Sequence, residues 1–305
     1  MTRNCKVSAV IPTRKRPELV LRAVRSALAQ TYEHLEVVVV VDGPDDRTVK
    51  ALAEVHDDRL RVIALPQTQG AQNARNVGAE AGQGDWIALL DDDDEWLPDK
   101  IALQMERANN STFRYPIVSS QFFAHTGGYQ LIWPRRQPYE PLSEYMLARD
   151  SCSRGEGQLH TITLLFPKDL FRLVPFPTHL QRCHDVDWVL RASRQDGFGI
   201  EFIPRPLAIA HLAEEGGSIT AVPDWRASLD WVETVRGVIT ARAYASYVAI
   251  TVASQAVRQG DWSAIPFLLR RILTRGAPKP RDLALFLGVW LVPRRIQLAV
   301  RRAGW

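Results

Sequence analysis

Five consecutive valines, Val37 to Val41, stand inside "LEVVVVVD", and no other stretch restricts the fold of this chain as tightly. A β-strand turns alternate side chains to opposite faces, so an unbroken apolar run is hydrophobic on both and can border water on neither. Such a strand belongs in the middle of a parallel sheet with helices on each side. The flanking sequence supplies those elements. "KVSAVIP" reads as an earlier strand, and "PELVLRAVRSALAQ" as a helix with Pro17 in its first turn and apolar residues three and four apart. Then come a helix through "RTVKALAEV", a strand "LRVIAL", a helix near "GAQNARNVGAEAG" and a strand "DWIALL". The pattern predicts an α/β fold with an open, mostly parallel sheet flanked by helices.

Each of these strands ends in polar residues: Thr13 and Arg14, then Asp42 and Gly43, then Asp91 to Asp94. In open α/β sheets ligands bind outside the carboxyl ends of the strands. Four adjacent aspartates repel one another and are costly to desolvate, so stability gives little reason to place them at the end of a buried strand. A bound cation would supply one. Asp91 and Asp93, one residue apart, can turn toward a single ion, and carboxylate oxygens suit Mg²⁺ or Mn²⁺. Asp94 and Asp99 also suit a helix start near Pro98. No G-x-G-x-x-G or G-x-x-x-x-G-K-[ST] occurs, so a bound diphosphate would need its charge neutralised by something else, with the metal bridging carboxylate and phosphate.

The blocks "VSAVIPTRKRPELVLRAVRSALAQTYEHLEVVVVVDG" and "GAQNARNVGAEAGQGDWIALLDDDDEWLPDKIALQ" resemble the nucleotide-sugar-binding half of the inverting family-two glycosyltransferases of GT-A fold, and the resemblance runs over about residues 5–215. It implies a divalent metal, Mn²⁺ or Mg²⁺, held by Asp91 and Asp93 as a D-x-D motif, with Asp93 the direct ligand and Asp92 beside the nucleotide sugar. It also implies that Asp42 contacts the nucleobase, that Thr13 lies beside the base, and that Arg75 reaches the base or diphosphate. Val41 stands where the family often has a first aspartate. A carboxylate accepts the ring N–H of uracil, thymine or guanine, so uridine, thymidine and guanosine donors all remain open.

In "QRCHDVDWVLRASRQDGFGIEFIPRPLAIAHL", Asp185, Trp188 and Arg191 fall three apart on one helical face. By resemblance Asp185 is the general base, His184 replaces a usual glutamate, and His211 lies near the metal or diphosphate. Asp187 supports the base or is a solvated helix residue, and Trp188 suits the core. The function implied is transfer of a sugar from a nucleoside-diphosphate sugar to an acceptor hydroxyl, on a glycan or a lipid-linked acceptor, with inversion. Two other classes compete. A sugar nucleotidyltransferase would share the sheet and metal but would carry a glycine-rich loop after strand one, which "IPTRKRPE" is not. A non-catalytic nucleotide- or sugar-binding module would not need both a metal pair and a distant carboxylate.

Three cysteines, Cys5, Cys152 and Cys183, are too few and too odd in number for a disulfide framework, and the N-terminus does not read as a signal peptide. The expected setting is cytoplasmic. Residues 1–224 carry 25 Lys and Arg against 30 Asp and Glu, a net of −5, while 225–305 carry 13 against 4, a net of +9. The chain is thus expected to comprise a catalytic domain at 1–224, split near 110 into nucleotide-sugar and acceptor halves, and a helical basic extension at 225–305. Within it "LALFLGVWLVP", Leu283 to Pro293, would span about 16 Å as a helix, too short for a ~30 Å hydrocarbon core. Arginine pairs at 294–295 and 301–302 follow it, and five basic residues from Arg270 to Arg281 precede it. An apolar segment so flanked suits a helix lying on the cytoplasmic face of a membrane, through residues 276–305, or one packed as an appendage. No nucleic-acid-reading motif is present, so nucleic acid is not an expected partner.

Overall fold

The structure is a computed structural model that describes residues 5–126, 128–150, 155–180, 182–212 and 223–292. It divides into two compact units, Met1–Trp133 with Leu159–Glu215, and Pro134–Gln158 with Gly216–Trp305. The second unit is therefore discontinuous in sequence, and its main boundary falls shortly before the division at 224 read from charge.

The first unit begins with four parallel strands, β1 (Val7–Thr13), β2 (Leu35–Val41), β3 (Leu60–Ala64) and β4 (Trp86–Leu89), in the order β3-β2-β1-β4. Between them run α1 (Pro17–Leu28), α2 (Asp46–Ala53) and α3 (Ala71–Ala81). The valine run behaves as its pattern requires. Val37, Val39 and Val41 pack with Val20, Ala23, Val24 and Ala27 of α1, whereas Val38 and Val40 pack with Ala74 of α3 on the opposite face. All five are completely buried. Close approach of α3 depends on Gly78, where an added Cβ would lie 2.5 Å from Val10 Cγ1.

After β4 come β5 (Glu95–Trp96), α4 (Lys100–Asn109), β6 (Tyr115–Thr126) and β7 (Tyr129–Trp133). The chain then contributes α5 (Leu142–Leu147) to the second unit and returns through β8 (Leu165–Pro167), α6 (Lys168–Leu173), α7 (His184–Ala192) and β9 (Phe198–His211). These strands extend the order to β3-β2-β1-β4-β8-β6-β9-β5, with β7 paired to β6. β6 and β9 are long and parallel, and the antiparallel members β5, β7 and β8 are short, so by length of pairing the sheet is mostly parallel. β9 brings His211 beside Glu95 of β5, which places the far end of the chain's longest strand against the acidic run.

The second unit is helical: α5 with α8 (Trp225–Thr234), α9 (Ala241–Tyr247), a π turn (Val248–Val252), α10 (Ala253–Gln259), α11 (Ala264–Arg275) and α12 (Pro280–Leu291). Tyr244, Val248, Val252, Leu268, Ile272 and Phe286 are buried in it. Much of its positive charge is spent internally. Arg242 pairs with Glu144 and Asp150, Arg271 and Arg275 pair with Glu233, and Arg226 pairs with Asp261. Among the described residues no helix is long and apolar enough to cross a membrane. Pro293 and the arginines at 294–295 and 301–302 lie outside the described residues.

Candidate active site

The acidic run starts one residue beyond β4, where Leu90 N–H still bonds to Val10 and Asp94 N–H turns back to the Asp91 carbonyl. That turn sorts the four carboxylates by alternation. The side chains of Asp91 and Asp93 are 25% and 39% exposed, while Asp92 and Asp94 point inward and are buried. Asp92 accepts a hydrogen bond from Thr13 Oγ1 at 2.7 Å and one from Arg16 Nη1 at 3.1 Å. Arg16 also reaches Asp93 Oδ2 at 3.0 Å, and Arg22 donates to the Asp93 carbonyl. Asp94 accepts the His211 backbone N–H at 2.8 Å.

Burial is the first reason these groups resist ionisation, and their neighbours add to it. Asp92 is pushed up to about 6 despite Thr13 and Arg16. Asp93 is raised by burial and then by Asp91, and Asp94 well above the usual range by burial, Asp91 and Asp93. Asp91 alone goes down: burial works against its charge, but Arg75, aided by His160, outweighs that. A turn with this much unrelieved repulsion is suited to a divalent cation. Among the described residues no three His, Cys, Asp or Glu side chains form a closed metal cage. Mg²⁺-type ions are commonly held by one or two carboxylates together with substrate phosphates, and the outward pair Asp91 and Asp93 fits that donor set.

The sign of the Asp92 shift gives a stability test. With its ordinary value of 3.8 raised to about 6 in the fold, its carboxyl favours folding below about pH 4, and that contribution is lost as pH rises through 6. Asp92→Asn cannot ionise. In chelator, its stability relative to wild type is expected to rise between pH 4 and pH 7 by something on the order of 2 kcal/mol. Thermal melts of both proteins across that range check it, and parallel profiles would show that Asp92 ionises normally.

Asp42, at the end of β2, accepts the backbone N–H groups of Gln69 at 2.7 Å and Gly70 at 3.0 Å. It therefore pins the loop entering α3. A carboxylate has about four acceptor positions, so two remain for a ligand N–H. Gly43 follows with φ of +97°, where a Cβ would meet Thr68 Oγ1 at 2.4 Å, so this turn demands glycine. Arg75, on α3 and buried, donates to Asp91 Oδ1 at 2.6 Å through Nη2 and bonds to His184 Nε2 at 3.0 Å through Nη1. Since a guanidinium can only donate, His184 Nε2 accepts. Gln72 Nε2 lies 3.0 Å from His184 Nδ1. Burial first, and Arg75 in support, hold His184 below its usual value against the pull of Asp185.

Asp185 lies in the first turn of α7, whose entry at Cys183 takes a left-handed conformation. Thr161 Oγ1 stands 3.4 Å from Asp185 Oδ2. Asp187 is buried and accepts from Arg191 Nε at 2.7 Å, so it fixes the helix rather than facing water. Trp188 is wholly buried, stacked on Phe176 at 4.7 Å, and donates to the Val174 carbonyl. His211 reaches the far side of the acidic run, but its imidazole bonds Glu95 at 2.9 Å and meets His125 edge-on rather than joining Asp91 and Asp93.

Hydrogen bonds thus join Thr13, Asp92, Arg16 and Asp93 in one group and Asp91, Arg75, His184 and Gln72 in another, and the two meet where Asp91 repels Asp93. Sequence reasoning missed four members. Arg16, just before α1, lay in "RKRPE", a visible run of basic residues at a strand end, while Arg22, within α1, lay outside it. Gln72 and His160 gave none, and only the fold places His160 within electrostatic reach of Asp91, Asp185 and Asp93.

The family model for Glycosyl transferase family 2 matches residues 8–172. Succinoglycan biosynthesis protein ExoO of Rhizobium meliloti is 42% identical over 103 residues, 34% of this chain and 30% of that protein, so the match spans under a third of its length. Amylovoran biosynthesis glycosyltransferase AmsB of Erwinia amylovora is 27% identical over 256 residues, 81% of this chain and 83% of its own. Among solved structures, mannosyltransferase PcManGT from Pyrobaculum calidifontis, in complex with GDP-Man and Mn²⁺, has a TM-score of 0.53 at 17% identity, covering 97% of this chain and 78% of that one. That last likeness is one of fold.

Proposed function

The chain belongs to glycosyl transferase family 2, and from that premise we propose that it moves a sugar from a nucleoside-diphosphate sugar to an acceptor hydroxyl with inversion at the anomeric carbon. The observation that carries the proposal is Arg75, which donates to Asp91 Oδ1 at 2.6 Å and to His184 Nε2 at 3.0 Å and so ties the acidic run to the residue just before Asp185. That link supports reading Asp91 and Asp93 as the donor side of a site and Asp185, about ninety residues further on, as its acceptor-side base.

In this reading Asp185 takes the acceptor hydroxyl's proton as oxygen attacks the anomeric carbon. The nucleoside diphosphate leaves from the opposite face, and Arg75 stabilises its developing charge. Asp91 and Asp93 hold a divalent cation, Mn²⁺ or Mg²⁺, which when bound supplies Lewis-acid stabilisation of the diphosphate. Asp42 and Thr13 position the base, and Asp92, tied to Thr13 and Arg16, holds the β1 and β4 ends together beneath the donor. His184 accepts a hydrogen bond from Arg75 without neutralising it, whereas the glutamate common at that position would form an ion pair. Arg75 is thus paired with one carboxylate, Asp91, rather than two.

The acceptor class we infer is a growing glycan, free or lipid-linked. Support comes from two similar proteins named for succinoglycan and amylovoran biosynthesis. A cytoplasmic enzyme peripheral to the membrane would suit a lipid-linked acceptor. The test is product analysis with UDP-, GDP- and dTDP-sugars in Mn²⁺. Release of nucleoside diphosphate with an inverted anomeric linkage by NMR is expected. Pyrophosphate release would instead identify a nucleotidyltransferase, and binding without turnover of any donor would identify a binding module.

A further inference from the structure

The last two helices carry a surface that sugar transfer does not use. From Leu283 to Leu291 the only side-chain polar atom of α12 is the Trp290 indole N–H. The helix buries Phe286 and Trp290 on one side, yet Leu287 is 55% and Leu291 74% exposed on the other. A helix facing water normally carries polar residues there, and one that is apolar all round is covered by something. Trp262, 58% exposed, stands just before α11, its ring 5.5 Å from that of Trp290. On α11, Leu273 is also exposed, opposite the buried Ala264, Leu268 and Ile272.

The surroundings select the occupant. Arg270, Arg275, Lys279 and Arg281 are exposed on or beside the same two helices, with Arg275 paired to Glu233 and Arg281 to Asp150. From Trp262 to Val292 the sole acidic residue is Asp282, which is wholly buried and accepts the Lys279 backbone N–H. This stretch thus combines exposed leucines with exposed basic residues and no exposed acidic residue of its own. A second copy of the chain, meeting it face to face, would bring the same basic residues against themselves. An anionic bilayer satisfies both parts, offering an acyl boundary to the leucines, headgroup phosphates to Arg and Lys, and an interfacial level to the tryptophan.

We propose that the exposed residues of α11 and α12 dock the protein onto the surface of an anionic lipid bilayer, with Leu287, Leu291 and Trp262 entering the interface and Arg270 and Lys279 at the headgroups. α12 lies in the plane of the surface, since its twelve residues cannot cross it. Docking needs no sugar donor, so it stands or falls separately from the catalytic reading.

The experiment is co-sedimentation of the full chain with phosphatidylcholine vesicles containing or lacking phosphatidylglycerol. Binding is expected mainly with phosphatidylglycerol and is expected to weaken as salt rises. Leu287→Glu with Leu291→Glu should lower the partition coefficient at least about tenfold, and Arg270→Glu with Lys279→Glu should do likewise only on anionic vesicles. Turnover of soluble donor should be unaltered, and thermal melts should confirm the fold, since all four side chains are exposed. Should the leucine variant misfold, Trp262→Phe supplies the reading: quenching of tryptophan fluorescence by interfacially brominated lipid should fall. No vesicle binding, binding that survives both double substitutions, or a lipid-free dimer abolished by the leucine substitutions would each overturn the proposal.

Discussion

Asp185→Asn is expected to bind donor as wild type does and to lose about 10²–10⁴-fold in kcat, the usual contribution of a positioned general base. The amide keeps the shape and can still accept from Thr161, so the first turn of α7 should stand, with stability within about 0.5 kcal/mol of wild type. What it cannot do is hold a proton from the attacking hydroxyl. The informative measurement is therefore the split between terms: kcat and kcat/KM for acceptor fall together, while donor affinity, read as a thermal shift in Mn²⁺, is unchanged. An unaltered kcat would remove Asp185 as the base, and Asp187, tied to Arg191, would be no substitute.

Asp93→Ala should abolish the stabilisation that Mn²⁺ and donor together confer, with turnover falling by about 10²–10³-fold, the scale for removing a preorganised electrostatic contact. The same variant should not lose stability in chelator at neutral pH. Asp93 is raised by burial and by Asp91, so its ionised form is disfavoured in the fold and a neutral residue relieves that cost. The relief should shrink as pH falls toward the ordinary carboxylate range, where Asp93 is protonated in folded and unfolded states alike. Loss of stability in chelator would mean that its pairing with Arg16 matters more than the repulsion around it. Near-normal activity across a Mn²⁺ titration would sink the assignment of Asp91 and Asp93 as the metal pair.

Periodicity made much of the architecture legible. Val37 to Val41 could be satisfied only by a strand covered on both faces, and it is, by α1 and α3. The acidic run stood out as a candidate site because its cost has no compensation within its own segment, and Trp188 was legible as core because an amphipathic helix buries its largest apolar residue. Local pattern also marked α12 as apolar and arginine-flanked, without saying which side of it would be covered.

Other features depend on side chains meeting across long separations, which no local pattern encodes. Which two of the four aspartates face outward follows from the turn after β4 and from Thr13, Arg16 and His211 capturing the other two. That Arg75 would join Asp91 to His184 depends on α3 lying between the end of β4 and the start of α7, and the closeness of α3 to the sheet rests on Gly78. His211 bonds to Glu95, because β5 and β9 pair with Glu95 opposite Ile209, two residues before His211 on the same strand face, so the imidazole reaches it diagonally. The sequence by itself determined where charge would be concentrated and which segments had to be buried, because alternation and helical spacing are properties of neighbours in the chain. Only the tertiary structure decided which charges were paired and buried and which were left more exposed, because hydrogen-bond partners and burial are set by residues up to a hundred and more positions away.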